Sequence, residues 1–98
     1  MKVRFGEGRY EQLETDPRFT DGRPQAVVKA YRSRLNFIRQ ALDERDLRGM
    51  KSFHFEKLQG ARSHQHSLRL NDQWRLIIEF EGEAPNKTVV IVSIEDYH

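Results

Sequence analysis

The stretch LRLNDQWRLIIEF (residues 68–80) decides the fold. Leu68 and Leu70 flank Arg69, and Asn71-Asp72 supplies a turn signal. Trp74, Leu76, Ile78 and Phe80 then alternate with Arg75, Ile77 and Glu79. Two period-two runs joined by a tight turn predict an antiparallel hairpin with one apolar face. Working outward, residues 89–94 are apolar on both faces, which predicts a central strand beyond a Gly82- and Pro85-containing loop. Upstream, residues 53–58 read as a strand with Phe53 and Phe55 on one side, followed by a turn at Gly60. Residues 64–70 continue the meander and place His64 and His66 on the face of Leu68 and Leu70.

Before residue 50 the period changes. Val27, Tyr31, Leu35, Ile38 and Leu42 recur at helical spacing, so residues 24–42 predict a helix that starts at Pro24 and carries one apolar stripe. Lys29, Arg32, Arg34 and Arg39 lie off the stripe, facing water or a polyanion. Residues 3–5 predict a short strand closed by Gly6 and Gly8. Tyr10 and Leu13 suggest a short helix ending before Pro17, and Leu47 belongs to an extra turn ended by Gly49. The expected architecture is α+β: a single domain with a helical portion at about residues 9–48 and a sheet meander at about 53–98, the helices packed on one face of a twisted, mostly antiparallel sheet.

The chain has 98 residues and no cysteine, which excludes a disulfide scaffold and a zinc–thiolate site. The N-terminus has no apolar signal core, and no apolar run approaches the ~18 residues of a membrane span. A cytoplasmic protein without membrane contact is expected. Net charge is +2, and most of the 17 basic residues are Arg. Arg suits phosphate through its planar fork, although a GC-rich coding sequence gives the same bias. The 15 acids exclude a uniformly basic binder.

The candidate chemistry lies on the sheet face turned away from the helices. Lys57, Arg62, Arg69 and Arg75 cluster in sequence, and residues 95–98 close the chain with an acid pair, a phenol and an imidazole. A guanidinium neutralises charge on a phosphorane oxygen, and a histidine moves protons near neutral pH. RNA cleavage needs no metal when the 2′-hydroxyl is the nucleophile. On an extended chain Asp96 and His98 share a face, and the neighbouring anions favour imidazolium, a proton donor to the leaving 5′-oxygen. A frayed, solvated end is the alternative. His64-x-His66 lacks a third ligand, so neither a metal nor a cofactor is expected. Trp74 alternates with Leu76 and Ile78 and reads as core rather than as a base-stacking platform.

LQG (residues 58–60), QHSLRLNDQWRL (residues 65–76) and the closing EDYH (residues 95–98) together resemble the HigB branch of the RelE/ParE toxin superfamily. The resemblance implies a RelE-like fold and a type II toxin: a metal-independent endoribonuclease that cuts mRNA in the ribosomal A site by 2′-hydroxyl attack, leaving a 2′,3′-cyclic phosphate. It implies a helix-turn-helix antitoxin as cognate partner, with the ribosome and mRNA as targets. Arg75 would stabilise the phosphorane, Gln73 would orient substrate, and Asp96, Tyr97 and His98 would complete the catalytic set. Gln59 stands where some relatives carry Lys, and Lys57 is the nearby substitute. Arg62, Arg69, Arg32, Arg34 and Arg39 are the remaining RNA-binding candidates. In this reading the final residues run from a central strand into the catalytic cleft, with no tail to obstruct RNA. The other readings are a ParE-like poison of DNA gyrase, which EDYH argues against, and a non-catalytic RNA-binding module of the same fold.

Overall fold

The structure is a computed structural model, and it describes residues 1–96. The elements run β1 (Lys2–Phe5), α1 (Gly8–Thr15), α2 (Gln25–Gln40), α3 (Glu44–Arg48), β2 (Glu56–Lys57), β3 (Gln65–Arg69), β4 (Trp74–Glu81) and β5 (Thr88–Asp96). The sheet order is β1-β5-β4-β3-β2. Only the β1–β5 pairing is parallel, so the sheet is mixed but mostly antiparallel, and β5 is interior as its two apolar faces required.

The α2 stripe is buried as its spacing predicts: Val27, Tyr31, Leu35 and Ile38 are fully covered and meet Leu68, Leu76, Ile78, Val89 and Ile91 of the sheet in one core. Leu42 departs from the expectation and is 83% exposed. The helix stops at Gln40, and Ala41 turns extended (φ −66°, ψ 144°), which rotates the next residue out of the stripe. The Met1 amino group then occupies the helix end, donating to the carbonyls of Ile38 (2.9 Å), Arg39 (3.1 Å) and Ala41 (2.6 Å). A cation at a helix C-terminus satisfies orphan carbonyls and suits the dipole.

Two further expectations are corrected. The strand predicted for residues 53–58 shrinks to Glu56–Lys57, because Lys51–Phe53 forms a 3₁₀ turn and His54 adopts a left-handed conformation (φ 44°, ψ 52°). His64 and His66 do not share a face. His64 lies outside β3 and approaches Glu79 at 3.6 Å, whereas His66 stacks on Phe55 with ring centroids 5.0 Å apart.

The end of β5 is held by α1. β1 covers β5 only from Thr88 to Ile91, and the Gly6 N–H extends this by one bond to the Ile91 carbonyl (2.8 Å). A Cβ at Gly6 would lie 3.1 Å from that carbonyl oxygen, a close approach that favours glycine. Further on, the Ile94 N–H donates to the buried Tyr10 hydroxyl (3.2 Å), and the Tyr31 hydroxyl donates to the Tyr10 carbonyl (2.9 Å). Two tyrosines thus take over where the edge strand stops.

Candidate active site

The face away from the helices carries Ser67 and Arg69 on β3, Arg75, Ile77 and Glu79 on β4, and Ser93 and Glu95 on β5, as the register pairs them. The β3–β4 turn is fixed by Asn71, whose side-chain oxygen accepts from the Gln73 and Trp74 backbone N–H groups, both at 2.8 Å. This turn sets Arg69 directly opposite Arg75. Like charges in such a pair repel, so the pairing is bearable only with compensating anions or dipoles. Arg69 has an ion pair with Asp72, and Arg75 Nη1 donates to the His54 carbonyl (3.0 Å). Arg75 is only 9% exposed. His54, Arg69, Asn71, Asp72 and Arg75 line one open cavity of about 310 Å³, ample for a phosphodiester.

Arg34 supports this cavity from behind. Its Nε donates to the Arg69 carbonyl (3.0 Å), and its guanidinium lies over the Phe53 ring (4.4 Å). Burial, with the Arg69 charge adding, pushes the Arg34 guanidinium below its ordinary pKa. At the sheet end, Gln73 Nε2 donates to Asp96 Oδ2 (3.0 Å), which ties the hairpin tip to the last described residue of β5. Asp96 lies opposite Trp74, on the helix-side alternation, while Glu95 lies opposite Arg75. Tyr97 and His98, both expected in the catalytic set, fall outside the described residues.

The remaining candidates separate. Lys57 is placed opposite His66 in the β2–β3 register, on the face away from Arg75. Gln59 is exposed in the loop after β2. Arg62 spans the open face to a bidentate pair with Glu95 (3.0 and 2.7 Å). The Arg62 hydrogen bonds, with Ser93 assisting, hold the Glu95 carboxyl below the usual range. The helix arginines, expected to face water or a polyanion, have partners within the chain. Arg32 donates to the carbonyls of Leu13 (2.9 Å), Asp16 (2.9 Å) and Phe19 (3.4 Å). Arg39 forms a bidentate pair with Glu14 (2.9 and 2.7 Å). Trp74 packs against the core as its alternation predicts, with the Arg23 guanidinium 5.5 Å from its ring centroid. Among the described residues no three His, Asp or Glu side chains gather as a metal cage.

Sequence reasoning missed His54. Read as part of a regular strand, it had no special place. The one available signal was chemical: His, like Asn and Asp, is enriched in the left-handed region. That backbone turn brings the His54 carbonyl to Arg75, and His54, itself exposed, is one of the residues lining the cavity.

The arrangement is an arginine-lined pocket with His54 among its lining residues, on a sheet backed by helices. The fold is similar to that of a YoeB/ParE toxin from Agrobacterium tumefaciens, with 100% of each chain covered, a TM-score of 0.61 and 17% identity. No curated protein matches the sequence. Residues 7–98 match the family described as "RelE-like toxin of type II toxin-antitoxin system HigB". Because that match takes in α1, the hairpin, the arginine pocket and all of β5, the chain belongs to the HigB-like toxin family.

Proposed function

We propose that this toxin is a ribosome-dependent mRNA endoribonuclease that inhibits translation by cutting mRNA in the A site. The 2′-hydroxyl oxygen attacks the adjacent phosphorus as its proton is removed, the P–O5′ bond breaks, and the 5′-oxygen takes up a proton. The products are a 2′,3′-cyclic phosphate and a 5′-hydroxyl. Arg75, fixed by the His54 carbonyl, meets the charge that builds on the phosphorane oxygens, and Arg69 adds a second cation from the facing strand. His54, exposed and lining the cavity, is one proton carrier, and His98 is the second. Gln73, bonded to Asp96, orients the substrate at the end of β5, and Tyr97 completes the catalytic set.

The single observation that carries this reading is the facing Arg69–Arg75 pair in one cavity with His54. Two guanidiniums against the single carboxylate of Asp72 leave the open pocket cationic, which fits a phosphodiester better than a neutral substrate. Membership of a toxin–antitoxin family implies an antitoxin partner, and we assign to it the helix-turn-helix type.

The test uses purified protein with programmed ribosomes and end-labelled mRNA. Wild type is expected to cut within the A-site codon and leave a cyclic phosphate. Arg75→Ala and His98→Ala are expected to lose at least ~100-fold in single-turnover rate, with unchanged circular dichroism. Intact mRNA with wild type, or full activity in both variants, overturns the assignment. Inhibition of DNA gyrase supercoiling in its place would move the protein to the ParE-like reading.

A further inference from the structure

The open face is not bare. Ser67 and Ile77 sit on it, away from the helices, yet are 0% and 2% exposed. Arg62, in the 59–63 loop between the edge strand β2 and its neighbour β3, reaches across β3 and β4 to Glu95 on β5. The crossing is tied at several points. Arg62 Nε donates to Gln65 Oε1 (2.8 Å), Gln65 Nε2 to Glu79 Oε2 (2.9 Å), and Ser93 Oγ to Glu95 Oε2 (2.7 Å).

Two features keep this closure shallow. The ion pair is solvated, its side chains 47% and 37% exposed, so water and salt screen it. The buried Ser67 hydroxyl has no hydrogen-bond partner among the described residues, a cost that opening removes. A phosphate offers Arg62 the same two-pronged acceptor geometry as the carboxylate. Glu95 also stands directly opposite Arg75, so an exchange at Glu95 takes place beside the cavity.

We propose that Glu95 is a substrate-gating residue, its carboxylate holding the place of a substrate phosphate on Arg62. An entering ribophosphate backbone takes Arg62 over and lifts the 59–63 strap from the sheet. The exchange deepens the nuclease reading and rests on it: the second phosphate contact is made only after the strap opens, so Arg62 and Glu95 set substrate affinity rather than the chemical step.

Three variants test this: Glu95→Gln, Arg62→Ala and the double variant. Amide hydrogen exchange on the free protein reads the strap without RNA. Both single variants are expected to exchange about 2–5-fold faster across residues 59–63, with the rest of the sheet unchanged, and the double variant no faster than either. In the programmed-ribosome assay, Glu95→Gln is expected to lower KM about 2–5-fold at constant kcat. Arg62→Ala should raise KM, and the double variant should match Arg62→Ala. Unchanged exchange in both single variants shows that no strap exists and overturns the proposal. Faster exchange with unchanged KM in Glu95→Gln, or a raised KM there, overturns the gate. If wild type cuts no mRNA, the nuclease reading has failed separately. The affinity of a 12-nucleotide RNA measured by fluorescence anisotropy then replaces KM, with the same directions required.

Discussion

Replacing Tyr10 by Phe should destabilise the protein by more than replacing Tyr31 by Phe, although each removes one buried hydroxyl. The difference lies in what each hydroxyl leaves behind. Tyr31 donates to the Tyr10 carbonyl (2.9 Å), a group within α1 that also has the intrahelical ladder to satisfy it. Tyr10 accepts from the Ile94 N–H (3.2 Å), and a backbone N–H has a single proton to place. β1 ends its pairing at Ile91, so no strand edge is there to take over. A buried donor left without a partner costs ~1–3 kcal/mol, whereas a lost neutral hydrogen bond costs about 0.5–1.5 kcal/mol. With an m-value of ~1–2 kcal/mol/M in urea, Tyr10→Phe should lower the unfolding midpoint by about 1 M, and Tyr31→Phe by about half of that. Ile94 lies two residues before Asp96, so Tyr10→Phe should also speed amide exchange at residues 94–96 and reduce cleavage per folded molecule. Equal midpoints for the two variants, or a Tyr10→Phe midpoint within about 0.2 M of wild type, would refute the argument.

Arg32→Ala should cost ~1–3 kcal/mol in urea unfolding, since the carbonyls of Leu13, Asp16 and Phe19 lose their donor, while cleavage per folded molecule stays at the wild-type level. Arg39→Ala, which breaks an exposed pair with Glu14, should cost no more than ~0.5 kcal/mol in the same assay. His66 is held below its ordinary pKa by burial, with Arg48, Lys57 and Lys87 adding and Glu44 opposing. As pH falls through about 6.5 the unfolded chain takes up the proton first, so stability drops from there until the folded imidazole itself protonates. His66→Phe keeps the stack on Phe55 and should flatten this loss between pH 8 and pH ~5.5 in urea midpoints; identical pH slopes would contradict it. Leu42→Ser should leave the midpoint within about 0.5 kcal/mol of wild type, because the side chain is 83% exposed, whereas Leu35→Ala should cost ~2–5 kcal/mol.

What the sequence made legible was periodicity. The three- and four-residue spacing from Val27 to Ile38 and the alternation from Trp74 to Phe80 each named a buried face, and those faces meet in the core. Where a local cap overrides periodicity, the pattern misled. Leu42 kept the spacing, but Asp43 caps α3 by accepting the Arg45 N–H (2.9 Å), and the chain must leave α2 two residues earlier to make that turn. The three helix arginines show a second limit. Their position off the stripe was readable, but Leu13, Asp16, Glu14 and Arg69 come from other elements, and no helical period encodes them. Register is a third. Lys57 falls on the face opposite Arg75 because it pairs with His66, and a one-residue slip would have reversed that. Within the site, Arg75 was legible from alternation alone. His54 was not, because its place depends on one left-handed residue.

These particulars separate what stabilises the fold from what shapes the pocket, except at one place. The helix side of the sheet is apolar and holds the fold by burial. The other side is held by polar and ionic contacts: Asn71 in the turn, His54 on Arg75, and Arg62 on Glu95. Solvated ion pairs contribute little to stability, so substitutions on that face can change substrate affinity at small cost to the fold. The end of β5 breaks this separation. Tyr10 grips it from the core at Ile94, and Gln73 grips it from the hairpin tip at Asp96. A strand end fixed from both directions suits the catalytic role we propose for this end of the chain. Substitutions at Tyr10 in α1, which does not line the cavity, should therefore reach the chemistry through the end of β5.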